Sequence, residues 1–211
     1  FVIRLREVGG DRDLAAQRIA AIAAEGVPNY FGEQRFGRGG GNVDKALAMF
    51  AGRRVERAER SILLSAARSE IFNAVLAARV ADGSWRRALD GDVFQLDGRS
   101  AIFGPEAPSD ELRERVARGD IHPTGPMFGR GELRSTEAVR ALESAVFEQF
   151  PELCAGLAAA GLDHERRALR LPARDFRCDW DGDTLIARFT LPAGAYATTV
   201  LRELVDWNPA S

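Results

Sequence analysis

The chain has 211 residues, 45% of them hydrophobic and 28% charged, with a formal net charge of −2, the make-up of a globular protein with room for one large domain or two modest ones. That charge excludes a global positive field, so a site for any polyanion must be local; no run approaches the length of a membrane span, and the N-terminus lacks the basic-then-apolar pattern of a signal peptide. Cys154 and Cys178 lie far apart, without a Cys-x-x-Cys pattern, and read as reduced thiols of a cytoplasmic protein.

The chain opens inside an apparent strand, FVIRLREV, where Phe1, Ile3 and Leu5 alternate with Val2, Arg4 and Arg6. A strand with no lead-in and no methionine needs neighbours from elsewhere, which predicts a fragment of a longer protein. Residues 11–25 read as a helix with Ala15, Ile19, Ile22 and Ala23 on one face, stopped by Gly26 and Pro28. A turn rich in glycine and aromatics follows. Asn42 is placed to cap a short helix that buries Val43, Ala46, Leu47 and Phe50 and ends at Gly52. The charged joint RRVERAER (53–60) leads into a long helix over 61–81, with Leu64, Ala67, Ile71, Val75 and Ala78 aligned. Asp97-Gly98 between two apolar runs predicts a hairpin. Pro108-Ser109 starts a helix that Gly119 ends. A loop with Pro123 and Pro126 precedes a helix over 135–150, and a short helix covers 153–160.

After Pro172 the period returns to two: Phe176, Cys178 and Trp180 alternate, Asp181-Gly182 turns, and Leu185, Ala187, Phe189 and Leu191 alternate on the return. LPAGAYATTVLRELV then reads as a loop feeding a final helix. Strand-rich ends around a largely helical middle are the pattern of one domain inserted into another, with seams near residue 55 and Pro172.

Most catalytic templates fail. His122 and His164 have no ligand spacing to a cysteine or carboxylate, and His122-Pro123 reads as a solvated loop. GRGGGN is followed by no Gly-Lys-Ser/Thr and follows no strand, so plain loop flexibility is its simpler reading. Ser61, Ser65 and Ser69 fall on a helix, not on a nucleophile elbow. The acidic residues of the middle segment read as solvated helix faces.

One stretch survives, GVPNYFGEQRFGRGGGN at 26–42, which sets Tyr30, Phe31 and Phe36 among amides and arginines. An aromatic for the face of a base, amides for its edge and arginines for flanking phosphates are what a nucleotide drawn out of its stack requires. From 35 to 60 there are seven basic residues (Arg35, Arg38, Lys45, Arg53, Arg54, Arg57, Arg60) against Asp44, Glu56 and Glu59. The other reading of that stripe is a salt-bridged surface. Lys45 is the only lysine, a bias that a GC-rich genome explains, although arginine also offers planar, bidentate donors suited to phosphate.

GVPNYFGEQRFG (26–37) resembles the signature of the tRNA pseudouridine synthase D family, and LSAARSEIFNAVLAARV (64–80), DGDVFQL (90–96), RRALRLP (166–172) and LPAGAYATTVLREL (191–204) continue the similarity in the family's order. The resemblance implies an α+β chain: part of a mixed α/β pseudouridine-synthase catalytic domain (1–54 and 171–211) interrupted by a largely helical inserted domain (55–170). It implies isomerisation of a D-arm uridine of tRNA, with no cofactor and no metal, by a cytoplasmic protein that is monomeric when complete. Asn29 matches the family asparagine that holds the catalytic aspartate, Phe31 the aromatic beside the target base, Gln34 a nearby polar residue, and Tyr196 an aromatic lining the pocket's other side. Arg35, Arg38, Arg53, Arg54 and Arg57 are the expected RNA contacts.

One departure matters. In the family the catalytic aspartate follows a Gly-x-Lys motif, and no Gly-x-Lys-Asp occurs in this chain. Asp11 and Asp13 open a helix and read as caps. The expectation is a supporting pocket whose nucleophile lies outside the chain. Two readings compete with a synthase: a non-catalytic RNA-binding module derived from that family, and an unrelated helical interaction domain whose aromatic loop is core.

Overall fold

The computed structural model describes residues 1–206. In chain order the elements are β1 (Val2–Leu5), α1 (Arg12–Glu25), β2 (Val27–Pro28), α2 (Gly41–Phe50), α3 (Arg57–Ala81), β3 (Asp92–Leu96), β4 (Ile102–Glu106), α4 (Asp110–Arg118), β5 (Ile121–Met127), α5 (Glu137–Phe147), α6 (Pro151–Ala159), β6 (Glu165–Ala168), β7 (Arg170–Leu171), β8 (Arg174–Asp181), β9 (Thr184–Thr190) and α7 (Ala197–Leu204). The fold class is α+β, as the sequence predicts. The chain divides into two compact units, Phe1–Asn29 with the residues from Arg170 onward, and Tyr30–Leu169.

In the first unit β1, β9 and β8 form an antiparallel sheet in that order. The alternating positions read from sequence carry its core: Phe176, Leu185, Ala187 and Phe189 pack with Ile22 of α1 and with Val200 and Leu204 of α7. Asp11 caps α1, its Oδ1 accepting from the amides of Asp13 and Leu14 at 2.8 and 3.3 Å. The other end of α1 is closed by Gly26, whose φ of 70° favours glycine and where a Cβ would stand 2.5 Å from the Leu171 carbonyl oxygen. That close approach lets Val27 and Pro28 pair with Leu171 and Arg170. Arg170 in turn donates to the last carbonyls of α1, at Glu25 and Ala24, where the helix dipole favours a cation.

The second unit departs from a helical middle. It holds a four-stranded antiparallel sheet, β4-β3-β5-β6, packed beside α3. The segment with Pro123 and Pro126, expected as a loop, is the buried strand β5. It changes partners along its length: residues 121–123 pair with β3 and residues 124–127 with β6, and at the changeover the Pro123 carbonyl oxygen accepts from the Leu169 amide at 2.9 Å, a use of proline that needs no N–H. His122, expected in a solvated loop, is buried, its Nε2 2.9 Å from Asp97 Oδ1. The hairpin at Asp97-Gly98 forms, with β3 and β4 joined through residues 97–101.

Other boundaries shift for local reasons. Gly40, not Asn42, occupies the N-cap of α2, while the Asn42 amide donates back to the Arg35 carbonyl oxygen at 3.3 Å. The joint at 53–60 is partly helical, since α3 already begins at Arg57, and the helix expected over 135–150 stops at Phe147, with Pro151 in the first turn of α6. The seam expected near residue 55 falls inside this unit, where α2 packs on α3 and α6. By length and mean hydropathy α3 reaches what a membrane span requires, against the reading that no run does. Its Leu63, Ala67 and Ile71 lie in a core with Ala46, Met49, Leu153 and Leu157.

The acidic residues of this unit are the largest correction. Asp92 and Glu143 are buried, not solvated. Arg79 grips Asp92 with two bonds of 2.9 Å, and Arg166 meets Glu143 at 2.8 Å. Glu70, half-buried on α3, has its carboxyl held above the usual range by burial.

Candidate functional site

The stretch that stands out in the sequence folds as a short pairing strand, β2, followed by single 3₁₀ turns at Glu33–Arg35 and Arg38–Gly40. Its second-unit part is organised by one face of α3. Asn73 grips the backbone of Phe31 on both sides: its Oδ1 accepts from the Phe31 amide at 2.9 Å, and its Nδ2 donates to the Phe31 carbonyl oxygen at 3.1 Å. Two turns earlier on the helix, Ser65 accepts from Arg35 Nη1 at 2.8 Å, while Ser69 donates to the Ser65 carbonyl oxygen. Ser65 is therefore a brace for the loop.

Phe31 is only 7% exposed. Its ring meets Phe72 edge-on, with centroids 5.4 Å apart and planes at 79°. Phe72 reaches that position because β5 carries Gly125 beside it, where a Cβ would come within 3.1 Å of the Phe72 ring. Two guanidinium groups lie over the Phe31 ring, Arg167 at 4.2 Å and Arg35 at 5.4 Å from its centroid. An aromatic ring attracts cations to its face, and two arginines at one ring concentrate positive charge in a protein of net charge −2.

The structure divides the predicted site residues. Phe31 and Arg35 come together in the cluster just described. Gln34 and Arg38 are exposed beside it on the turns, and Arg53, Arg54 and Arg57 are exposed at the joint of α2 and α3, with Arg53 3.9 Å from Glu59. Asn29 and Tyr196 belong to the first unit: Asn29 is buried just after β2, and Tyr196, half-buried, precedes the first turn of α7. Sequence reasoning missed Phe72, Asn73 and Arg167. The first two lie within the SEIFNAV helix run and the third within RRALRLP, but nothing in local spacing marks them as neighbours of Phe31.

Other nucleophile candidates are spent or suppressed. Burial pushes the Cys154 thiol up to about 11, and burial with the nearby Asp179 carboxylate does the same for Cys178, so neither is a ready thiolate. His164 is held below its ordinary pKa by burial and by Arg166 and Arg68, and its Nδ1 accepts from the Gly129 amide at 3.3 Å. No group of three or more histidine, cysteine or carboxylate side chains among the described residues is placed to hold a metal ion.

The model of the family described as tRNA pseudouridine synthase D (TruD) matches residues 39–204. The chain belongs to the tRNA pseudouridine synthase D family. The tRNA pseudouridine synthase D of Xanthomonas axonopodis pv. citri is 51% identical to this TruD chain over 98% of the chain and 61% of that protein. The protein of the same name from Aeromonas hydrophila is 46% identical over 100% of the chain and 60% of its own length. The chain thus spans about three-fifths of the length of these TruD relatives. A solved TruD structure from Methanosarcina mazei covers 99% of the chain at a TM-score of 0.67 and 19% identity, a likeness of fold. Both compact units fall within that match, so the strand-rich ends and the sheet-containing middle share the TruD architecture.

Proposed function

We propose that this chain is the pocket-supporting and RNA-contacting part of a tRNA pseudouridine synthase that converts uridine 13, in the D-arm of tRNA, to pseudouridine. The observation that carries the reading is family membership at 51% identity to a tRNA pseudouridine synthase D across 98% of the chain. In this reading the reaction breaks the N-glycosidic bond and rejoins the ribose through C5 of the same base, so atoms are conserved and no redox partner is needed. Asn29 positions the aspartate that carries the covalent and proton-transfer steps, Phe31 and Tyr196 border the base, and Gln34 is a polar neighbour. The aspartate belongs to a Gly-x-Lys-Asp segment that these 211 residues do not include.

The test is an isomerisation assay on a tRNA transcript. The 211-residue chain by itself is expected to form no pseudouridine, and product should appear when a polypeptide carrying the Gly-x-Lys-Asp segment is joined to it. Product from the chain alone would show that another carboxylate acts, and the assignment of the nucleophile would fall.

Arg38, Arg53, Arg54 and Arg57 supply the electrostatic part of the reading, as exposed cations. Each phosphate contact adds about one unit to the slope of log affinity against log salt. Changing Arg53, Arg54 and Arg57 together to Ala should therefore weaken tRNA binding and flatten that slope by about three units if all three reach RNA. An unchanged slope would assign them to surface ion pairing of the kind Arg53 makes with Glu59.

A further inference from the structure

Phe31 poses a physical difficulty if it is to face a base by itself. Its ring is buried, its edge is against Phe72, and the Arg167 guanidinium lies over it at 4.2 Å. A base approaching this ring meets Arg167 first.

The three arginines of RRALRLP have different surroundings. Arg166 is buried against Glu143 and Thr124, and Arg170 closes the end of α1. Alternation along β6 sends Arg167 to the opposite side of the strand from Arg166, toward α3, where it lies 4.2 Å from the Phe31 centroid and 5.7 Å from that of Phe72 and stays partly exposed. The ring beneath it is held rigidly, by both backbone bonds to Asn73 and by the Phe72 edge. A planar guanidinium over a fixed aromatic is pre-oriented. It can stack on a base and direct its N–H groups at phosphate or base oxygens.

We propose that Arg167, carried on the Phe31 ring, is a further RNA-contacting residue of this cluster, touching the nucleotide drawn toward the site from its platform on Phe31. Arg35, braced by Ser65, supplies the second cation at the same ring. This rests on the reading of the chain as part of a tRNA-modifying protein, and it adds a residue that sequence spacing did not mark.

The experiment measures binding of the 211-residue chain to a tRNA transcript over a range of salt, beside its thermal unfolding, for the wild type, Arg167→Ala and Arg167→Lys. Stacking on a base is worth about five- to 150-fold in affinity, so Arg167→Ala should weaken binding within that range and reduce the salt slope by about one unit. Arg167→Lys keeps the charge and loses the plane: the slope should stay near the wild-type value while only part of the affinity returns. Wild-type binding with Arg167→Ala indistinguishable from it in affinity and slope would overturn this inference and leave the proposed function standing. The same holds if Arg167→Ala loses affinity only at temperatures where it unfolds. A wild-type chain that does not bind tRNA overturns both.

Discussion

Asp92→Ala should destabilise the second unit by about 3–5 kcal/mol, because it leaves a buried guanidinium without its counter-charge. Arg79 is 1% exposed and Asp92 fully buried. The two meet in a fork of paired 2.9 Å bonds, and Arg79 also donates to the carbonyl oxygens of Ser84 and Arg87. Asp92 accepts from the Leu89 amide as well. This one pair therefore ties the C-terminal turn of α3, the following 3₁₀ turn and the start of β3 into one piece. At about 2–4 °C per kcal/mol for a chain of this size, the melting temperature should fall by roughly 6–20 °C. Replacing both partners with apolar residues of similar volume, Arg79→Met with Asp92→Leu, should recover part of the loss, since it removes the orphaned charge but leaves the Ser84 and Arg87 carbonyls and the Leu89 amide without these partners. Thermal and denaturant unfolding of the three proteins decides it. A single mutant that melts with the wild type would mean that water reaches Arg79.

Phe31→Ala is expected to cost about 3–5 kcal/mol in stability through the cavity it leaves beside Phe72, and, on the proposed reading, to lose tRNA binding at temperatures where the protein unfolds. It cannot by itself separate packing from recognition. Phe31→Leu can. Leucine keeps most of the buried volume, so the stability cost should stay under about 1.5 kcal/mol. The flat face under Arg167 is gone, and tRNA affinity should fall by about 1–3 kcal/mol, the worth of a lost stacking platform. Measured together, melting temperature and tRNA affinity distinguish two roles for the ring. If Phe31→Leu melts slightly early yet binds tRNA as tightly as the wild type below its transition, Phe31 is core and nothing more.

These two residues differ in how visible they are before folding. Phe31 sits in GVPNYFGEQRFG, where the density of aromatics, amides and glycines is odd enough to single out. Asp92 sits in DGDVFQLDG, where an aspartate next to a glycine reads as turn chemistry. Its partner Arg79 lies 13 residues away on a helix, and both are charged, so local pattern argues for solvent. Glu143 and Arg166, 23 residues apart, fail for the same reason. Composition cannot show a charge its partner.

The elements legible before folding are local in origin. The period-two alternation of Phe176 to Trp180 and Leu185 to Phe189 specifies β8 and β9, because those residues fall on the face of the hairpin that packs on the core. The acceptor side chains of Asp11 and Ser109 specify helix starts, since each satisfies amides that nothing else in the turn could reach. Only the tertiary structure decided β5, β6 and the surroundings of Phe31. The prolines at 123 and 126 are accommodated in a strand whose partners change between them, and propensity carries no information about partners. Arg167 rests over Phe31, 136 positions earlier in the chain, because β6 aligns on Gly125 of β5 and so faces α3, where Asn73 has already fixed the Phe31 backbone. Such contacts depend on which elements pack together, and that depends on the burial of the whole unit rather than on any window of residues.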